Sequence, residues 1–147
     1  SNLGSQYIQQ QFEHLNDTNR EEVIDKAKVA VMDMLKKTIR PEFLNRIDET
    51  IMFLPLTKEQ IGDVVRLQLE RVKDMLEPQG IELQWTDPAI NYLSDVGYDP
   101  EFGARPVKRA IQRYVLNDLS KSLLAGTVNR DKPVIIDSFG EGLVFRN

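Results

Sequence analysis

The stretch that follows Pro55 constrains the fold of this chain most. Thr57 followed by Gln60 forms a capping-box pattern, which marks the first turn of a helix. A turn signal at 78–80 ends this helix, and residues 81–85 then alternate between apolar and polar, as in a strand with one buried face. Within the helix, apolar residues recur at helical spacing and predict a single buried face: Ile61, Val64, Val65, Leu69, Val72 and Leu76.

The remainder of the chain is also predicted to contain both helices and strands. Asp87 followed by Pro88 predicts another helix, with the aspartate as its cap and the proline at its first position. A long helix is predicted over 105–125, because Gly126 supplies a stop signal directly after it. Two short apolar runs near the end of the chain then predict a two-stranded hairpin.

The first 54 residues differ in character from the rest. Short and long helices are predicted at 6–12 and 20–37, and Pro41 opens a helical turn. The apolar run 51–54 predicts a brief buried strand. No partner strand is apparent near it, so we expect it to be the edge of a larger sheet. We therefore predict a domain boundary between residues 54 and 55.

Composition excludes several classes of function. The chain has 147 residues, a net charge of −4 and no cysteine, so disulfides, thiolate chemistry and a general attraction for nucleic acid or membrane are not expected. No apolar run approaches the roughly 20 residues that span a bilayer, and the start lacks the pattern of a signal peptide. We expect a cytoplasmic protein. The single histidine, His14, lies in a polar stretch, and no metal site is expected.

Two arginines stand out as candidate functional residues. Arg46 and Arg105 each lie at the edge of a predicted helix, and a planar, permanently charged guanidinium suits phosphate oxygens. Two alternatives remain open. Arg46 is also placed to form a surface ion pair with Asp48 or Glu49, and Arg105 is also the first cation of a basic helix face.

Two strings carry a resemblance to a known family. They are Arg40-Pro-Glu-Phe-Leu-Asn-Arg46-Ile-Asp and Gly97-Tyr-Asp-Pro-Glu-Phe-Gly-Ala-Arg105-Pro-Val-Lys-Arg109. In this order they resemble the second ATPase module of the Clp family of AAA+ unfoldases, over essentially the whole chain. The resemblance implies an α+β fold in which 1–54 is the mostly helical C-terminal fragment of the large, RecA-like subdomain. Residues 55–147 would form the small C-terminal subdomain, with helices and a small three-stranded sheet.

The same resemblance assigns roles to individual residues. Arg46 matches the arginine finger, which reaches into the ATP site of the neighbouring subunit, and Arg105 matches sensor 2, which contacts the phosphates. Asn2 resembles sensor 1, which orients the attacking water. Ile61 matches a position that flanks the adenine, and Ala104, next to sensor 2, is implied to bind nucleotide as well.

The chain lacks other parts of such a site. It has no phosphate-cradling G-x-x-x-x-G-K-[ST] loop and no acidic strand to hold magnesium. ATP and Mg are therefore implied for the parent protein, with neither expected to bind these residues tightly. The resemblance further implies a homo-hexameric parent that acts on aggregated or unfolded polypeptides with a chaperone of the DnaK type. Nucleic acid and membrane are not expected as partners.

One absence separates branches of the family. Clp unfoldases that feed a peptidase carry a glycine-centred docking loop before the finger, whereas this chain has no glycine between Gly4 and Gly62. The resemblance is thus to ClpB-type disaggregases. Two alternatives stay open, namely a peptidase-coupled Clp unfoldase and a non-catalytic oligomerisation or adaptor module.

Overall fold

The computed structural model of the protein describes residues 3–12 and 19–147. The chain divides between Pro55 and Leu56 into two compact units. In the described ranges no helix is both long enough and apolar enough to cross a bilayer.

The first unit is helical. Its helices are α1 (Ser5–Phe12), α2 (Arg20–Thr38) and α3 (Pro41–Leu44), and α1 packs against α2. These bounds confirm the predicted helices to within one residue. Among the described residues of this unit only Ile8 and Ala27 are buried hydrophobics, so its apolar core is small.

The strand predicted at 51–54 is wrong. Residues 51–57 belong to no helix or strand, and Ile51 and Phe53 are 67% and 87% exposed. A strand exists only where its backbone donors and acceptors are paired with a neighbour. The described part of the first unit contains no strand that offers this pairing, so apolar composition alone does not produce a strand here.

The second unit combines helices with a small sheet. Its strands lie in the order β1-β2-β3, with β1 parallel to β2 and β2 antiparallel to β3. This architecture confirms the α+β class and the three-stranded sheet. In chain order the elements are α4 (Lys58–Leu76), a 3₁₀ turn (Glu77–Gln79), β1 (Leu83–Trp85), α5 (Asp87–Gly97), α6 (Val107–Ile111), a π-helical segment (Gln112–Leu116), α7 (Asn117–Ala125), β2 (Val134–Ser138) and β3 (Leu143–Arg146).

Helix α4 begins and packs as its sequence predicts. The Gln60 amide N–H donates to Thr57 Oγ1 at 3.2 Å, and Gln60 Oε1 accepts from the Thr57 amide at 2.9 Å. This reciprocal pair satisfies two amide donors that a helix start leaves free. The apolar face of α4 joins the core of the unit, whose largest fully buried side chains are Leu69, Leu83, Leu93, Leu119, Ile136, Val65, Val107, Val115 and Val134.

The cap of α5 is Thr86, and the prediction of Asp87 is wrong. Thr86 Oγ1 accepts from the Ala89 amide at 3.4 Å, so Asp87 and Pro88 occupy the first two helical positions. Thr86 follows β1 directly, and its amide donates to the carbonyl of Ile136 in β2 at 3.0 Å. One residue thus ends the strand pairing and begins the helix.

The long helix predicted over 105–125 begins two residues later, at Val107, and contains the π-helical segment. Arg105 therefore lies in the turn that precedes the helix. The helix ends at Gly126, which has a left-handed φ of +73°, as its stop signal predicts. Within the π-helical segment, Tyr114 packs edge-to-face against Tyr92 of α5, with ring centroids 6.0 Å apart.

A buried carboxylate joins the sheet to α5. Asp137 Oδ1 accepts from the Thr86 hydroxyl and from the Ser138 amide, both at 2.8 Å, and Oδ2 lies 3.3 Å from Arg146 Nη2. The Thr86 hydroxyl, followed by the Ser138 amide and Arg146, holds the pKa of this carboxyl below its ordinary value. The ionised form of Asp137 therefore stabilises the fold.

This carboxylate predicts a pH-dependent stability. Since its pKa is depressed on folding, its contribution is fully present above the ordinary aspartate pKa of about 3.9 and is lost as the pH falls from that value through the lower pKa of the folded state. Thermal unfolding of the wild type and Asp137→Asn should differ most above about pH 5, with the wild type more stable. The difference should narrow below about pH 4 and close once the pH has fallen past the depressed pKa of the folded-state carboxyl. The exposed Asp131→Asn variant is the control and should follow the wild type throughout. A constant gap between wild type and Asp137→Asn would contradict the prediction.

Candidate functional site

Arg46 extends from the segment that follows α3. Pro41 is the first residue of α3, and the Arg46 amide donates to the carbonyl of Phe43 at 3.1 Å, which closes the turn. The side chain of Arg46 is exposed. The described residues show no ion pair between Arg46 and either Asp48 or Glu49. Its guanidinium is therefore accessible to an external anion.

Arg105 lies in the turn between α5 and α6. Its amide donates to the carbonyl of Phe102 at 3.2 Å, and its guanidinium carbon lies 5.8 Å from the centroid of the Phe102 ring. This is a cation–π arrangement at an exposed position. No ion pair engages Arg105 within the described part of the chain, so this guanidinium too is accessible.

The turn before Arg105 is closely hydrogen-bonded. Asp99 and Gly103 exchange two backbone hydrogen bonds, of 2.9 and 2.6 Å. Asp99 Oδ1 also accepts from the amides of Glu101 at 2.8 Å and Phe102 at 3.0 Å. Gly103 has a φ of +63°, a conformation that L side chains rarely adopt.

Other cations follow Arg105 on the helix that begins at Val107. Lys108, Arg109 and Arg113 are all exposed, and among the described residues none of them forms an ion pair. Arg113 lies over its neighbour Tyr114, with the guanidinium carbon 5.3 Å from the ring centroid. The sequence has no acidic residue between positions 101 and 118, so this face is uniformly basic.

Ile61 lines a cavity at the start of α4. The side chain is 3% exposed, and the cavity volume is about 380 Å³, within the range of small-molecule sites. Ala104, the other predicted nucleotide-binding neighbour, is half-buried and packs against the same core that contains Ile61. The cavity combines apolar walls with polar groups, and its lining residues are Leu56, Lys58, Ile61, Ser94, Asp95 and Tyr98.

The predicted site residues are thus distributed over both units. Ile61, Ala104 and Arg105 belong to the second unit, and Arg46 belongs to the first. Asn2, the sensor-1 candidate, lies outside the described residues, as does His14. Within 3–12 and 19–147 no group of three or more His, Cys, Asp or Glu side chains is arranged to hold a metal ion.

Sequence reasoning missed several groups in the turn before Arg105 and in the cavity beside Ile61. Asp99 and Phe102 were given no role beyond their place in the second string of the resemblance, and the polar cavity residues Lys58 and Asp95 were not singled out. An aspartate followed two residues later by further turn residues is a signal for side-chain-to-backbone hydrogen bonds. The stacking of Phe102 has no comparable local signal, because it depends on the path of the folded turn.

The second unit, in which helices pack with a small mixed sheet, is consistent with the C-terminal small domain of an AAA+ ATPase. A family model described as the C-terminal, D2-small domain of ClpB protein matches residues 56–136. The chain therefore belongs to the ClpB family, as the resemblance of its two arginine strings indicated.

Known ClpB proteins are similar over the whole chain. A chaperone protein ClpB from Bacteroides thetaiotaomicron is 66% identical over 147 residues, which is 100% of this chain and 17% of that relative. The corresponding protein of Porphyromonas gingivalis is 50% identical over the same shares of both chains. A probable chaperone protein ClpB 1 from Chlorobaculum tepidum is 42% identical over 99% of this chain and 33% of its own length. The chain thus spans only a minor part of the relatives it matches.

Proposed function

We propose that these residues form part of an ATP-dependent protein disaggregase, to which they contribute two arginines that act on ATP phosphates. Arg46 is the arginine finger of a neighbouring subunit's site, and Arg105 is sensor 2 of its own subunit. The observation that carries the proposal is that both guanidinium groups are exposed and without ion pairs among the described residues of a ClpB-family chain. An arginine that serves in a surface ion pair would instead contact a carboxylate of the same fold.

The proposed chemistry is phosphoryl transfer to water. This reaction depends mainly on positive charge placed where the γ-phosphate oxygens develop negative charge. ATP and Mg would be held chiefly by parts of the protein outside these 147 residues, because the sequence contains no phosphate-binding loop. Asn2 would help to orient the attacking water. The cavity lined by Ile61 would receive the adenine, and Ala104, next to Arg105 in the chain, would also contribute to nucleotide binding.

Family membership supports a proposal for the assembly, substrates and partner of the parent protein. We infer a homo-hexameric ring, since an arginine finger requires a neighbouring subunit to complete each site. The substrates would be aggregated or unfolded polypeptides, and a chaperone of the DnaK type would be the partner in the cytoplasm. Support for this chaperone role comes from the names of the ClpB relatives.

The role of Arg105 can be tested by its effect on nucleotide affinity. In the full-length protein with its other ATPase module silenced, Arg105→Ala should weaken ATP binding by about tenfold to a hundredfold. This range corresponds to the loss of a charge-assisted hydrogen bond of about 1.5–3 kcal/mol. Calorimetry or a fluorescent ATP analogue gives the Kd directly.

Arg113→Ala is the matched control for this experiment. Arg113 is also an exposed arginine that lies over an aromatic ring of the second unit, and it forms no ion pair with any described residue. Its loss should change the Kd by less than about twofold, as expected for a surface substitution. Unchanged affinity in Arg105→Ala would remove the sensor-2 assignment. If the Arg46→Ala variant also hydrolysed ATP at the wild-type rate, the two results together would favour an oligomerisation or adaptor module.

A further inference from the structure

We propose that Asp99 and Phe102 are positioning residues for Arg105, which fix the place of its guanidinium before any nucleotide binds. The proposal rests on the proposed role of Arg105 in phosphate contact. Asp99 acts on the backbone of the turn, whereas Phe102 acts on the side chain of the arginine. Three features of the turn lead to this inference: its closed base, its hydrogen-bonded middle and the exposed ring at its tip.

The base of the turn is closed by a glycine. A Cβ added at Gly97, the last residue of α5, would lie 2.9 Å from Val107 Cγ2 and 3.0 Å from Val107 Cα. Real Cβ atoms are not found this close, so the end of α5 and the start of α6 approach as only glycine permits. Val107 is itself buried in the core. The turn therefore leaves and rejoins the body of the unit at two fixed points.

The middle of the turn is fixed by Asp99. Its backbone groups pair with Gly103 in both directions, and its carboxylate accepts from two further amides. Four hydrogen bonds thus determine the path of five residues, which end two positions before Arg105. The missing Cβ of Gly103 would meet no atom within 4 Å, so glycine is needed there for its positive φ and not for space.

At the tip of the turn, contact with Arg105 accounts for the exposed aromatic side chain of Phe102. Phe102 is 52% exposed, so burial in the core does not account for its presence. Its ring does lie beneath the Arg105 guanidinium. An exposed cation–π pair favours the stacked arrangement by about twofold to fivefold, which is 0.5–1 kcal/mol converted at 1.4 kcal/mol per factor of ten. The long arginine side chain is then restricted before it meets a phosphate group, and less entropy is lost on binding.

The two residues can be tested separately in the full-length protein with its other ATPase module silenced. Phe102→Leu keeps an apolar side chain and removes the π face, and it should raise the KM for ATP by about twofold to fivefold with kcat and the unfolding temperature unchanged. Phe102→Tyr retains the ring and should restore the wild-type KM. Asp99→Ala should also raise the KM, and Asp99→Asn should restore it, since an amide oxygen can accept the same two N–H groups.

A double-mutant cycle separates positioning from general structure. If Phe102 acts through Arg105, Phe102→Leu should have no further effect on the KM once Arg105 is alanine. An equal effect of Phe102→Leu in both backgrounds would overturn the positioning role. A wild-type KM in Phe102→Leu, with a raised KM in Arg105→Ala, would also overturn the positioning role. The sensor-2 assignment of Arg105 would survive that result. A wild-type KM in Arg105→Ala would instead remove the proposed function of the arginine on which this inference depends.

Discussion

Replacing Arg46 by alanine is expected to lower the rate of ATP hydrolysis by about 10³–10⁵-fold, the range known for arginine fingers in phosphoryl transfer. The reason is electrostatic, because in the proposed role Arg46 would stabilise charge that develops on the γ-phosphate only in the transition state. ATP binding should therefore be retained while kcat falls. Steady-state hydrolysis and ATP affinity are measured on the full-length protein with its other ATPase module silenced, so that the second module alone is observed.

Two comparisons make this result specific. Arg20→Ala removes another exposed arginine of the first unit and should leave hydrolysis within about twofold of the wild type. In the proposed ring, mixtures of wild-type and Arg46→Ala subunits should lose activity in proportion to the sites whose neighbour lacks the finger. If Arg46→Ala hydrolyses ATP at the wild-type rate, Arg46 is structural and the catalytic interpretation rests on Arg105 alone.

The largest expected loss of stability comes from Leu69→Ala. Leu69 lies in the middle of α4, is fully buried and belongs to the core of the second unit. Truncation removes the transfer free energy of the lost methyl groups and leaves a cavity, which together cost about 2–5 kcal/mol. Chemical denaturation of the 147-residue chain can be followed by Trp85, the single tryptophan, which packs against the same core.

Leu67→Ala is the matched control for this measurement. Leu67 lies two residues earlier on the same helix and is 54% exposed, so the same truncation opens no cavity. Its free energy of unfolding should change by no more than about 0.5 kcal/mol. Equal losses in the two variants would mean that the apolar face of α4 is not the one that packs into the core.

Local sequence signals accounted for much of the second unit. The capping box of α4 joins residues three apart, and its apolar stripe follows from helical spacing alone, so both could be identified before the fold was known. The cap of α5 was misassigned because Thr86 and Asp87 are both good capping residues. The choice between them depends on where β1 ends, and that is set by pairing with β2.

Non-local packing accounts for the remaining differences. The run at 51–54 has the composition of a strand, but strand formation depends on a partner that composition does not reveal. The π-helical segment within the predicted long helix is a local change to i→i+5 hydrogen bonds, and the apolar spacing of the sequence does not reveal it. The two arginines were identified from the strings around them, whereas the stacking of Arg105 on Phe102 requires the folded turn.

The order of strands in the sheet has a consequence for synthesis on the ribosome. β1 pairs in parallel with β2, so Leu83 meets Val134, 51 residues further along the chain (134 minus 83). Three helices are therefore translated before the first strand acquires any neighbour in its sheet. Non-local pairing of this kind slows folding, because a long loop must close before its contacts form. Until then the backbone groups of β1 that pair with β2 have no partner, and Leu83, which is fully buried in the folded unit, lacks its cover. A nascent chain of this chaperone family would therefore itself pass through an aggregation-prone stage.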